Sequence, residues 1–238
     1  EDRVIVGGAD GTVLTGISLY GGLCAAWPRD EIPAKFTVTA LIEHWREFGL
    51  PRYAKFDNDM VFQGGHRHLD SFGRVTRLCL SLGVTPVFAP PRETGFQADI
   101  ESFNGRWQVG VWRRVRVTDL AHVGRQSGKY VAASRQKYAA RIQDAPARRK
   151  FRKNWRLILQ APLRGTVIFL RRTDAQGRVS LLGHSYLASS EWCSRLIRAE
   201  VDLDRRQIRL YALRRREPLL HRHLSTHPYQ PPRKPFQE

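Results

Sequence analysis

Tyr53-Ala54-Lys55-Phe56-Asp57-Asn58-Asp59 and, further on, Val84-Thr85-Pro86-Val87-Phe88-Ala89-Pro90-Pro91-Arg92-Glu93-Thr94-Gly95 decide how the chain folds. Each begins as a short apolar, β-prone run and is cut off by residues that do not continue a strand: an Asp-Asn-Asp cluster in the first, a Pro-Pro loop in the second. Between them, residues 70–82 place Phe72, Val75, Leu78, Cys79 and Leu82 on one face of a helix stopped by Gly83. After the second, a helix starts near Gln97, with Ile100, Phe103, Trp107 and Val111 as its apolar stripe. Upstream, Pro33 opens a helix carrying Phe36, Val38, Leu41, Ile42, Trp45 and Phe48, ended by Gly49. Ahead of that helix stand three extended runs, residues 3–6, 12–20 and 23–27, joined by Gly-rich turns. The order β-β-β-α-β-α-β-α predicts an α/β fold, a mixed sheet with helices laid on it.

Downstream, helix resumes over residues 118–144, and a basic stretch after Pro146, Arg148-Arg149-Lys150-Phe151-Arg152-Lys153, reads as a linker. From Leu163 the texture changes to short runs with turn signals at residues 166–170, 179–182, 200–203 and 207–211. These predict a small all-β barrel. The resulting division is a first domain over 1–147, a linker over 148–162, a barrel over 163–216 and a disordered tail over 217–238. There is no internal repeat.

Charge is divided as sharply as texture. Residues 1–110 hold 11 Lys and Arg against 13 Asp and Glu, a balance of −2, whereas residues 111–238 hold 29 against 9, a balance of +20. Such an excess repels itself unless a polyanion neutralises it, and each phosphate contacted releases condensed counterions. Nucleic acid is therefore the expected partner, ahead of an anionic membrane surface, for which no clean basic amphipathic helix is present. No apolar run reaches the roughly 20 residues of a membrane span. Cys24, Cys79 and Cys193 lie far apart without metal-ligand spacing, which points away from disulfide scaffolds and zinc fingers and toward a reducing cytoplasm. No GxxxxGK[ST] loop is present, so no nucleotide cofactor is expected.

Two acids are set apart by position. Asp57 ends the first decisive strand. Glu101 lies beside the buried stripe of the helix that follows the Pro-Pro loop, in a polar row with Asn104 and Gln108. A carboxylate at a strand end and another on a helix edge can converge in a cleft and hold hard divalent cations. Taken by residue type alone, Asp57 reads better as a turn or cap residue, and Glu101 as a solvated acid near a helix N-terminus.

The two segments together, Phe56-Asp57-Asn58-Asp59-Met60-Val61-Phe62-Gln63 and residues 87–104 ending in Glu101-Ser102-Phe103-Asn104, resemble the catalytic core of DDE-type bacterial transposases and retroviral-type integrases. Asp57-Asn58 matches that family's second acid, and Glu101 its Glu at a helix start. Asp59 stands where a Gly is usual and Ser102 where an Arg is common, and 44 positions separate the two acids. An insertion around Gly64-Gly65-His66-Arg67-His68 accounts for the long interval, with His66 and His68 as loop residues.

The resemblance implies an RNase H-like mixed sheet over residues 1–147, followed by an appended small β-barrel. It further implies two Mg²⁺ or Mn²⁺ ions held by Asp57, Glu101 and a first-strand acid, for which Asp2 is the choice ahead of Asp10. The implied activity is nicking of double-stranded DNA at element ends, then attack of the freed 3′-hydroxyl on target DNA, by a homo-oligomer associated with the nucleoid. Asn104, Arg113, Arg114, Arg116, Arg148, Arg149, Lys150, Arg152 and Lys153 are the expected DNA contacts, with Arg171, Arg172 and Arg214 to Arg216 decorating the barrel. The alternative is a catalytically inactive fragment that binds DNA only, and a basic structural or RNA-binding protein is a third reading.

Overall fold

A computed structural model describes residues 3–4, 10–64, 69–93, 95–113, 117–214, 216–217, 221–232 and 235–236, the first few by backbone alone. In chain order the elements are β1 (Arg3–Val4), β2 (Asp10–Ile17), β3 (Cys24–Arg29), α1 (Ala34–Phe48), β4 (Tyr53–Phe56), α2 (Met60–Gln63), α3 (Arg74–Ser81) and β5 (Thr85–Phe88). Next come α4 (Ala98–Trp107), a π-helical turn (Gln108–Arg113), α5 (Leu120–Lys137) and α6 (Ala139–Gln143). The last are β6 (Thr166–Arg172), β7 (Arg178–Leu181), β8 (His184–Leu187), β9 (Leu196–Asp202), β10 (Gln207–Ala212) and β11 (His223–Pro228). They assemble into two compact units, each discontinuous in sequence: Glu1–Phe48 with Thr94–Arg148, and Gly49–Glu93 with Arg149–Glu238.

The first unit is built on the antiparallel sheet β1-β2-β3. Strand β2 pairs with β3 from Thr12↔Arg29 to Ile17↔Cys24. Phe103, Trp107, Val111, Trp112, Val123 and Val131 are buried together with Cys24. The stripe that predicts the long helix therefore faces the sheet, as an amphipathic helix must. The Trp107 indole donates to Ser127 Oγ at 3.0 Å, which satisfies a buried N–H inside that core. Arg135 of α5 donates to the Cys24 carbonyl at 2.9 Å and lies over the Phe48 ring. The expected helix over 118–144 is interrupted at Tyr138, which closes α5 and opens α6.

The second unit carries a six-stranded mixed sheet in the order β11-β10-β9-β6-β5-β4. Strands β4, β5 and β6 run parallel, while β6, β9, β10 and β11 alternate antiparallel. Of the strands expected to form a separate barrel, β6, β9 and β10 thus continue a sheet begun by β4 and β5, and β7 pairs with β8 in a two-stranded sheet. The physical reason is an aromatic row: Phe56, Phe88 and Phe169 stand in register, and the rings of Phe88 and Phe169 stack at 5.0 Å. Strand β11 falls inside the stretch expected to be disordered. It is held by pairing to β10 and by the buried Tyr229, whose hydroxyl donates to the Asp70 carbonyl at 2.8 Å. Among the described residues no helix is long and apolar enough to cross a membrane.

Candidate active site

Asp57 directly follows the last residue of β4. Its Oδ1 accepts the Asp59 backbone N–H at 3.1 Å, and Asp59 Oδ1 in turn caps α2 by accepting from Val61 N–H at 2.7 Å. The Asp-Asn-Asp cluster that terminates the strand therefore also starts a one-turn helix, a short element that periodicity does not reveal. Asn58 ties this turn to the neighbouring strand end: Nδ2 donates to the Ala89 carbonyl, and Oδ1 accepts from Gln63 Nε2 at 2.6 Å. The far side of the turn is pinned where the backbones of Gly64 and Gly73 cross. A Cβ at Gly64 would come within 2.5 Å of the other backbone, and Gly73 N–H donates to the Gln63 carbonyl at 2.7 Å. The Asp57 side chain is exposed at the surface, yet the protein crowded around the carboxyl group partly desolvates it and raises its pKa. The hydrogen bond from Asp59 N–H opposes that shift and the Asp59 charge adds to it.

Glu101 lies in the first turn of α4 with Asp99, and its backbone N–H donates to the Gln97 carbonyl. Its side chain is exposed. Two carboxylates in the first turn of a helix meet the positive end of its dipole. Asn104, one turn on, is engaged within its own unit: its Oδ1 accepts from Thr15 Oγ1 of β2 at 2.7 Å. The polar row predicted from sequence thus turns toward the sheet at Asn104.

Asp57 belongs to the second unit and Glu101 to the first. Asp2, Arg114 and Arg116 lie outside the described residues, as do His66, His68 and Arg215. Among the described residues no group of three or more His, Cys, Asp and Glu side chains is placed to hold a metal ion. Asp57 and Glu101 are each exposed and each offer carboxylate oxygens, the ligand type that Mg²⁺ and Mn²⁺ take.

The expected DNA contacts separate into engaged and exposed side chains. Arg149 is committed to the fold: its backbone pairs with Leu50, and Nη2 donates to the carbonyls of Leu82 at 3.1 Å and Gly83 at 2.7 Å behind α3. Arg148 is partly buried, which lowers its pKa. Arg113, Lys150, Arg152 and Lys153 are exposed. Arg172 is paired with Glu93 and donates to the Ser194 carbonyl at 2.6 Å. Arg171, which sequence counted only as surface decoration, is partly buried and donates to the Ala89 carbonyl at 3.2 Å. Its place inside a strand beside Phe169, rather than in a charge run, was the available signal.

No known family profile matches the sequence, and no match is found among curated proteins. Among solved structures, similarity extends to a chain of the cryo-EM structure of a simian T-cell lymphotropic virus intasome in complex with PP2A regulatory subunit B56 gamma. The identity is 10%, the TM-score 0.41, and the match covers 84% of this chain and 66% of that chain, just under two thirds of its length.

Proposed function

We propose that this chain carries the catalytic core of a DDE-type transposase or integrase, acting on double-stranded DNA by metal-dependent cleavage and strand transfer. The observation that carries the reading is the pairing of motif and element. Asp57-Asn58 sits at the carboxyl end of β4, and Glu101-Ser102-Phe103-Asn104 opens the helix that follows the Pro90-Pro91 loop. The protein works as a homo-oligomer on nucleoid DNA. Asp57 and Glu101, with Asp2 as the third acid, would hold two Mg²⁺ or Mn²⁺ ions, which when bound activate a nucleophile and stabilise a leaving oxygen at a phosphodiester. The chain's own contribution is to fix carboxylates without attacking: Asn58 and Asp59 hold the Asp57 turn, and α4 holds Glu101. Lys150, Arg152, Lys153 and Arg113 supply phosphate contacts that position a duplex without reading its sequence.

The test is nicking of duplex DNA with Mg²⁺ or Mn²⁺ by the full chain, its Glu101→Gln variant and its Asp57→Asn variant. Both substitutions are expected to cut activity by about 10²-fold or more while leaving duplex binding intact. A Glu101→Gln protein that nicks as fast as the parent would contradict the assignment. The second reading, a DNA-binding protein without catalysis, draws on the +20 balance of residues 111–238 and predicts binding with no metal-dependent nicking in the parent.

A further inference from the structure

In open sheets with parallel strands, ligands settle in the crevice outside the carboxyl ends of the strands. The parallel trio β4, β5 and β6 has such an end, and the side chains there follow from the pleat. Phe56, Phe88 and Phe169 form one row across the sheet face, with ring centroids 6.0 Å and 5.0 Å apart. Two residues along β6 from Phe169, on the same face, stands Arg171, while Asn58 and Pro90 lie in the loops just past β4 and β5. The apolar row is thus followed at the strand ends by two polar side chains, Asn58 and Arg171. Asn58 Nδ2 and Arg171 Nη1 donate to the same acceptor, the Ala89 carbonyl at the end of β5. Arg171 is further fixed by its own strand: Nη1 also donates to the Leu170 carbonyl at 2.8 Å, and the guanidinium lies 5.0 Å over the Phe169 ring.

The charge balance at this row is uneven. Arg172 faces the other way and is neutralised by Glu93. Arg171 is held by two carbonyls and a ring, and among the described residues no carboxylate forms an ion pair with it. Burial lowers its pKa to about 10. A partly desolvated guanidinium left without a counter-charge attracts an anion, and its planar fork suits a phosphate.

We propose that Arg171 binds a DNA phosphodiester at the carboxyl ends of β4, β5 and β6, beside the Asp57 turn, and so seats the strand at the site of the proposed reaction. This rests on the functional reading above in naming DNA as the source of the phosphate. The phosphate contact itself is tested without any catalytic readout.

Binding of a random-sequence duplex by the full chain is measured between 50 and 200 mM salt for the parent, Arg171→Gln and Arg171→Lys proteins. The Gln variant is expected to bind several-fold more weakly, with a slope of log affinity against log salt shallower by about 1, one phosphate contact. The Lys variant is expected to recover the slope. A merely structural arginine would leave the slope untouched, and a Gln variant with the parental slope overturns the proposal.

In the parent protein, phenylglyoxal labelling read by peptide mass spectrometry tests the same contact without a mutation. Arg171 is expected to label in the free protein and to be protected about fivefold or more by duplex. Equal labelling with and without DNA, no labelling at all, or protection by inorganic phosphate but not by duplex each overturns the proposal. If the parent does not nick DNA but these results hold, the catalytic reading falls and the phosphate site stands. If the parent nicks and the slope is unchanged, the reverse is true.

Discussion

An arginine that satisfies the chain's own carbonyls holds its guanidinium where the fold needs it, and Arg149 is the case in point. It closes the end of α3 by donating to Leu82 and Gly83, a service that helix C-termini need because their last carbonyls lack intrahelical partners. Arg149→Ala is expected to destabilise the protein by about 1–2 kcal/mol, read by urea denaturation, while leaving the salt slope of DNA binding unchanged. A slope made shallower by that substitution would return Arg149 to the DNA-binding set. In the sequence Arg149 is indistinguishable from Arg148, Lys150, Arg152 and Lys153, because a charge run carries no information on which carbonyls will arrive beside it. Asp57 and Glu101 were legible as candidates for the opposite reason: a strand end and a helix start are local features, visible in the residues around them. That Asn104 would be taken by Thr15, or that Asn58 and Arg171 would share one carbonyl, depends on partners distant in sequence.

At the scale of elements, periodicity places α1, α3, β5 and the start of α4 close to where the structure has them, since each buries one face. It misses α2, which owes its existence to the Asp59 cap, and it runs α4 straight through the π-helical turn at Gln108–Arg113. That turn fits close packing: a Cβ at Gly110 would sit 2.6 Å from the Tyr130 ring. Helix α1 also carries a titratable group. His44 lies between Trp27 and Phe48, with ring centroids 5.8 Å and 4.9 Å away. Burial, then the charges of Arg135 and Arg148, lower its pKa from 6.5 to about 4. The folded protein therefore keeps this imidazole neutral while the unfolded chain takes up a proton below about pH 6.5. The associated stability is complete above pH 6.5 and is lost as pH falls from there through about 4. Urea midpoints of the parent and His44→Phe proteins should differ by a constant amount at pH 7–8, then move steadily in favour of the variant between pH 6.5 and 4. A pH-independent difference would show that His44 does not titrate in this way.

For the whole molecule, the sequence reading anticipates both β-rich ends of the chain but joins the strands differently. It groups β4 and β5 with β1 to β3 and closes the later strands on themselves. The structure instead pairs Val87 with Ile168 and Phe88 with Phe169. Nothing in a single run of residues specifies which other run lies beside it, and both β5 and β6 read simply as short apolar strands. The pairing predicts that a chain ending at residue 162 leaves β5 as an unprotected edge with Phe88 uncovered. Limited proteolysis should then cut within residues 49–93 of that shortened protein far faster than in the parent. Equal resistance would argue that β5 finds adequate cover without β6.

The same pairing sets the order in which the protein can be completed as it is made. At roughly 5–20 residues per second, the ribosome delivers Ile168 some 4–16 seconds after Val87. Residues 94–148, which finish the other unit, emerge in that interval. The segment born earlier is thus the one that must wait, its phenylalanines unburied, while a segment born later has all its partners at hand. Order of birth and order of assembly run opposite ways in this chain, and a cell producing it must shield residues 49–93 for those seconds.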